Sequence, residues 1–235
     1  GGGQGIYANA AVLKKYFRDR GEEKQRTQII TTILSHPIDS AAPATKGFEV
    51  ISLYPEANGY PSIEALKAAV SEKTAGIFIT NPEDTGVFNP IIREFVDVVH
   101  EAGGLCVCDM ADYNGLFGIV RAKELGADLC HFNLHKAFSS PHGCMGPGCA
   151  AQCVSAELEK YLPRPRVRFD GKKYYTYDIT KNFDDGASGM NGFNTQLHLI
   201  LNNHLFTQSS SFKPYDGCEI YAADLPVEYD VDWVR

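Results

Sequence analysis

The stretch Ala75–Asp109, AGIFITNPEDTGVFNPIIREFVDVVHEAGGLCVCD, sets the fold. Its two ends, Ala75–Thr80 and Leu105–Asp109, are nearly unbroken apolar runs of strand length. Between them Asn89 offers an N-cap with Pro90 at the first helical position, and the helix that follows runs to Gly103 and Gly104. A strand buried on both faces shows no polar alternation, so apolar strand, helix, apolar strand reads as a parallel βαβ unit. The pattern continues outward. Ile6–Arg20 reads as a helix stopped by Gly21, Gln28–Leu34 and Phe48–Leu53 as strands, and Ile63–Val70 as a helix after Pro61. Ala127–Phe132 reads as another strand and Gly148–Gln152 as one more. The expected class is α/β: a three-layer α/β/α sandwich with a mostly parallel sheet over residues 1–160. Residues 161–207 read as a hairpin turning at Asp170-Gly171, then a short helix over Asn194–Leu205. Residues 208–235 form a polar, acidic tail without a helical period.

Composition narrows the function. Apolar residues make up 44% of the chain, enough to offset chain entropy, so disorder is excluded as the main description. With 22 basic and 29 acidic side chains the net charge is −7, which gives no general attraction to nucleic acid or anionic membrane. No apolar run approaches the roughly 20 residues of a membrane helix. The start, GGGQGIYANA, lacks the features of a signal peptide, so a cytoplasmic location is expected, or the mitochondrial matrix in a eukaryote. The seven cysteines read as free thiols. Cys144, Cys149 and Cys153 lack a CxxC pair, and no metal site is expected; Cys106 and Cys108 share one strand face and read as core.

In parallel sheets ligands gather beyond the carboxyl ends of the strands, which directs attention to His36, Asn81, Asp109 and the stretch His131–His142. The densest signal is HFNLHKAFSSPHGCMGPG, residues 131–148. Its lysine, Lys136, follows an apolar strand, where an amine can form a Schiff base or hold an anion. Asp109 ends a buried strand and needs a cationic or hydrogen-bonding partner, such as a protonated pyridine nitrogen. The glycine-rich GGGQG of residues 1–5 stands directly before a helix, where backbone N–H groups can approach a phosphate. Taken together these three features describe a pyridoxal phosphate site.

The chain resembles the glycine decarboxylase P-protein family of the glycine cleavage system, in particular its catalytic half or subunit 2. The resemblance spans about residues 1–195. It rests on GGQG (2–5), LSHPIDSAAPATKGF (34–48), TNPEDTGVF (80–88), HEAGGLCVCD (100–109), NLHKAFSSPHG (133–143) and GPG (146–148). It implies a fold-type-I pyridoxal phosphate enzyme, with Lys136 as the amine that holds the cofactor, Asp109 at the pyridine nitrogen and His36 against the ring face. It further implies Gly3, Gln4 and Gly5 at the phosphate, Asn81 near the phenolic oxygen, and Ala111 and His135 among the cofactor contacts. Ser139, Ser140 and His142 would lie in the loop beside the lysine, touching phosphate or substrate. The family pattern differs at Ile6, Ile38, Asp39, Met110, Asp112, Ala137, Cys144 and Met145, mostly near the cofactor; Asp39 brings a carboxylate where the family has an amide. The implied activity is decarboxylation of glycine with transfer of the aminomethyl group to lipoyl H-protein, by a homodimer or a pair of P-protein subunits. Two alternatives are a non-catalytic structural paralogue and a pyridoxal phosphate enzyme for another amino acid.

Overall fold

Side-chain alternation along the central strands sorts their residues onto two faces, and each face is covered by its own helices. This computed structural model describes residues 1–139, 145–163 and 166–177. The order is α1 (Gly2–Asp19), β1 (Gln28–Thr32), α2 (Ile38–Thr45), β2 (Glu49–Leu53), α3 (Ile63–Ala69), β3 (Thr74–Thr80), α4 (Ile92–Glu101) and β4 (Leu105–Asp109). A short helix α5 (Ala122–Leu125), β5 (Leu129–Asn133), α6 (Leu134–Ala137) and β6 (Ala150–Val154) follow. The strands form one sheet in the order β2-β1-β3-β4-β5-β6, parallel throughout except that β6 runs antiparallel to β5. The expected α/β sandwich is therefore present, and so is the hairpin, as β7 (Arg166–Phe169) and β8 (Tyr174–Tyr177). The helix expected at Asn194–Leu205 lies outside the described residues.

On one face α1 and α2 cover Ile29, Phe78, Val107 and Leu129 with Ile6, Leu13, Phe17 and Ala42. On the other, α3 and α4 cover Ile30, Ile77, Ile79 and Cys106. Helix α4 shows why: Ile92, Phe95, Val96 and Val99 recur at i, i+3, i+4 and i+7, so one stripe meets the sheet. Cys106 and Cys108 are both buried, as their shared strand face requires, and burial pushes both thiols up, away from reactivity.

Two helix starts and one whole helix differ from the sequence reading. Helix α1 begins at Gly2, so the glycine run forms its first turn instead of preceding it. A Cβ on Gly2 would stand 2.8 Å from the Asn133 amide, and one on Gly5 would stand 2.9 Å from His131 Cδ2. Close packing on β5 overrides the poor helix propensity of glycine. Helix α4 begins at Ile92, after the proposed Asn89-Pro90 start. The Asn89 side chain does accept from Ile91 N and its C=O from Ile92 N at 3.4 Å, so Pro90 and Ile91 form a turn that leads into the helix, while the Asn81 amide also holds the Asn89 backbone N–H and C=O. Helix α2 had no expected counterpart, being a short alanine-rich turn with a proline inside.

Candidate functional site

The strand order changes direction between β1 and β3, and ligands of open α/β sheets favour the crevice beyond such a switch point. His36 and Asp39 follow β1, Thr80 and Asn81 end β3, Asp109 ends β4, and His131 lies in β5 ahead of α6, which carries Lys136. Strand β4 pairs with β5 so that Asp109 stands opposite His131, and β3 pairs with β4 so that Thr80 stands opposite Asp109.

Asp109 is anchored on one side and unpartnered on the other. Its Oδ1 accepts from Ala111 N at 2.8 Å, which is the observed role of Ala111 here. His131 Nε2 stands 3.5 Å from the same oxygen, near enough for electrostatics but too long for a good hydrogen bond. Asp109 Oδ2 is buried with no hydrogen-bond partner among the described residues. Burial lowers the pKa of His131; the Asp109 charge opposes this, while His36 and Lys136 push the same way as burial. At neutral pH the buried imidazole is thus uncharged. The strand-end acid stands beside His131, a residue that sequence reasoning treated only as part of the lysine stretch. The available signal was its strand register opposite Asp109.

Asp39 is fully buried at the start of α2. Thr80 Oγ1 donates to its Oδ2 at 2.9 Å, and its Oδ1 has no partner among the described residues. Burial first, and then Asp109, hold its carboxyl well above the usual carboxylate range, and the Thr80 hydrogen bond only partly opposes them. Glu83 is also raised by burial, with Thr32 Oγ1 within hydrogen-bond distance of both its oxygens at 2.7 and 2.8 Å.

The remaining expected residues divide. Lys136 is exposed, and its amine makes no hydrogen bond or ion pair with the described residues; its backbone oxygen accepts from Asn114 Nδ2 at 3.3 Å. His36 is exposed, and its Nδ1 accepts from Ile38 N at 3.1 Å, which leaves the proton of the neutral ring on Nε2. Asn81 has both amide atoms engaged by Asn89, so its side chain holds a turn. Gln4 turns its carboxamide oxygen back to the Gly1 nitrogen, and Gly3 and Gly5 lie in the first turns of α1, whose start packs against Asn133 at the end of β5. His135 Nδ1 meets the Cys149 backbone at 2.9 Å. Ser139 is exposed; Ser140 and His142 lie outside the described residues. A cavity of about 320 Å³ is bounded by Thr80, Asn81, Asp109, Met110, Asp112 and Leu116, among others; neither Lys136 nor His36 lines it.

These groups suit a ligand with a ring N–H or cationic nitrogen for the unpartnered Asp109 oxygen and an anion for the start of α1. The chain matches the class-V aminotransferase family over residues 2–159. It belongs to that family. As a class-V aminotransferase it is 39% identical, over 83% of its length, to the probable glycine dehydrogenase (decarboxylating) subunit 2 of Thermoplasma volcanium. It is 41% identical, over 77% of its length, to the protein of the same name from Pyrococcus abyssi. It spans only 41% and 36% of those two relatives. The class-V aminotransferase fold recurs in a sphingosine-1-phosphate lyase of Burkholderia pseudomallei (TM-score 0.57, 18% identity, covering 83% of this chain and 46% of that one). It recurs also in an Escherichia coli cysteine desulfurase (TM-score 0.54, 14% identity, 86% and 57%). Among the described residues no helix is long and apolar enough to cross a membrane.

Proposed function

We infer that this chain is the pyridoxal-phosphate-binding part of a glycine dehydrogenase (decarboxylating). The observation that carries the reading is the buried, unpartnered Asp109 Oδ2, beside a neutral His131 and at the strand ends from which Lys136 also projects. A buried carboxylate oxygen without a donor is costly unless a ligand supplies one, and a ring N–H does so. When bound, pyridoxal phosphate supplies an electron-withdrawing ring that can accept the electron pair left as the glycine carboxylate departs as CO2. Asp109 would hold the ring N–H and favour a protonated ring nitrogen, with its carboxylate aimed by the Ala111 amide. Lys136 would contribute the amine that holds the cofactor and would be the group available to move a proton beside it. The N-terminal amides of the eighteen-residue helix α1 would hold the phosphate, and the lack of Cβ atoms at Gly2 and Gly5 lets that end sit against β5. His36, exposed beyond β1, would lie over the ring face. The aminomethyl group then passes to a lipoyl H-protein, and a second P-protein subunit completes the enzyme; the name of the relatives, subunit 2, supports such a pairing.

The test is direct. Titration with pyridoxal phosphate is expected to give a visible absorption band, and borohydride treatment to fix the cofactor mass on the Lys136 peptide. Lys136→Ala is expected to abolish both. A band that persists in Lys136→Ala, with label on another lysine, overturns the assignment. Labelled CO2 from glycine, in the presence of H-protein and the other subunit, tests the substrate. A spectral response to a different amino acid with none to glycine would leave the cofactor reading standing and replace the substrate.

A further inference from the structure

Two buried carboxyl groups lie on either side of Thr80 where β1, β3 and β4 end. Asp39 is wholly buried and the Asp109 side chain is 1% exposed. Thr80 joins them: it stands opposite Asp109 in the β3–β4 register and gives its hydroxyl proton to Asp39 Oδ2. Each acid keeps one buried oxygen without a partner among the described residues, Oδ1 of Asp39 and Oδ2 of Asp109.

The surroundings do not offset two negative charges. From the end of β3, Glu83 and Asp84 add further negative charge towards Asp39. Cys108, on β4, is a thiol that burial keeps protonated. On β5, His131 is the base beside Asp109, and burial keeps it neutral. His36, from the segment after β1, spends Nδ1 on the Ile38 amide, and its own N–H points to Thr80 Oγ1 at 3.3 Å. Lys136 on α6 is exposed. Two carboxylates in such a place repel too strongly to be charged together, as in any tightly coupled buried acid pair.

We propose that Asp39 and Asp109 hold one proton and one negative charge between them, with Asp39 the protonated member and a positioning residue for the Asp109 charge. The contacts choose the member. Asp109 accepts a backbone N–H from Ala111, which favours a carboxylate, whereas Asp39 has only a neutral hydroxyl. Because Thr80 occupies Asp39 Oδ2, the acid proton sits on Oδ1. The consequence, which rests on the reading of Asp109 as the partner of a ring nitrogen, is that a neutral Asp39 leaves the full attraction of Asp109 to that nitrogen. Loss of the Asp39 proton at higher pH places a second charge beside the first and changes how strongly a ring N–H is held.

The experiment uses the 235-residue chain without cofactor, so its outcome is independent of Lys136. Infrared difference spectra of wild type against Asp39→Asn at neutral pH are expected to show a protonated-carboxyl C=O stretch that the variant lacks. The amide replaces the neutral acid atom for atom, so Asp39→Asn is expected to fold. Raising the pH is expected to remove the band, at a lower pH in Asp109→Asn, where the repulsion is gone, and at a higher pH in Thr80→Val, where the donor is gone. In parallel the wild-type melting temperature is expected to fall as pH rises above the unfolded carboxyl value of about 3.9 and to level off where the band disappears, a slope absent from Asp39→Asn. A neutral-pH spectrum without the band, or a band whose pH dependence is the same in wild type, Asp109→Asn and Thr80→Val, overturns the proposal. A band that behaves as expected in a protein that fails to bind pyridoxal phosphate defeats only the cofactor reading. Cofactor on Lys136 without the band defeats only this one.

Discussion

Gly5 shows how a single missing methyl group can place a site. An alanine there would put its Cβ 2.9 Å from His131 Cδ2 and 3.2 Å from Ala150 Cβ, so either the imidazole or the start of α1 must move. Overpacking of this kind costs about 1–3 kcal/mol, and the better helix propensity of alanine returns only part of it. Gly5→Ala is therefore expected to lower stability in urea denaturation by about 1 kcal/mol or more, and to weaken pyridoxal phosphate binding by lifting the helix end. At Asp109 the expectation is different in kind. Asp109→Asn keeps shape and relieves a buried charge, so stability is expected to be unchanged or raised, while cofactor affinity and glycine turnover fall by an order of magnitude or more through loss of the charge-assisted hydrogen bond. Equilibrium titration and single-turnover measurements would separate the two effects; equal affinity in the variant would remove Asp109 from the ring nitrogen.

At the scale of elements, α4 is held to the sheet by two different forces. Its apolar stripe centres on Phe95, fully buried, and Phe95→Ala is expected to cost about 3–5 kcal/mol in denaturant unfolding, the usual consequence of a large core cavity. Its C-terminal end is pinned by His100, whose Nε2 lies 2.7 Å from Asp128 Oδ2, an oxygen that also accepts from Cys106 N. The hydrogen bond to Asp128 raises the pKa of His100 against the effect of burial. The folded value thus lies above the unfolded one. The stabilisation is complete below the unfolded value of about 6.5 and is lost as pH rises through the folded value. His100→Ala is expected to lose about 1 kcal/mol at mildly acid pH, a figure reduced by partial solvent exposure, and less in alkaline solution. Melting curves at both ends of that range check the sign. Element identity was largely readable beforehand because the apolar period of α4 and the unbroken strands are local properties of the chain. Helix α2 was not, since IDSAAPAT has neither a period nor a capping signal and forms only where β1 delivers it against α1.

For the whole molecule, the relevant prediction concerns assembly. The matched relatives carry the name subunit 2, so size-exclusion chromatography of this chain mixed with the other subunit of a glycine dehydrogenase is expected to show a larger species than either component. Two unshifted peaks would remove the pairing from the proposal. What the sequence alone determined was the layer architecture and the sheet's parallel character, with His36 and Asp109 placed just beyond or at strand ends, because burial patterns and strand boundaries are written in residue order. The tertiary structure alone decided that Asp39 is sealed beside Asp109, that His131 is the neutral imidazole next to it, and that the Asn81 amide is used up by Asn89. Each of those facts depends on which strand lies next to which and in what register, and so on contacts between residues distant in the chain whose electrostatic cost is set by how completely water is excluded.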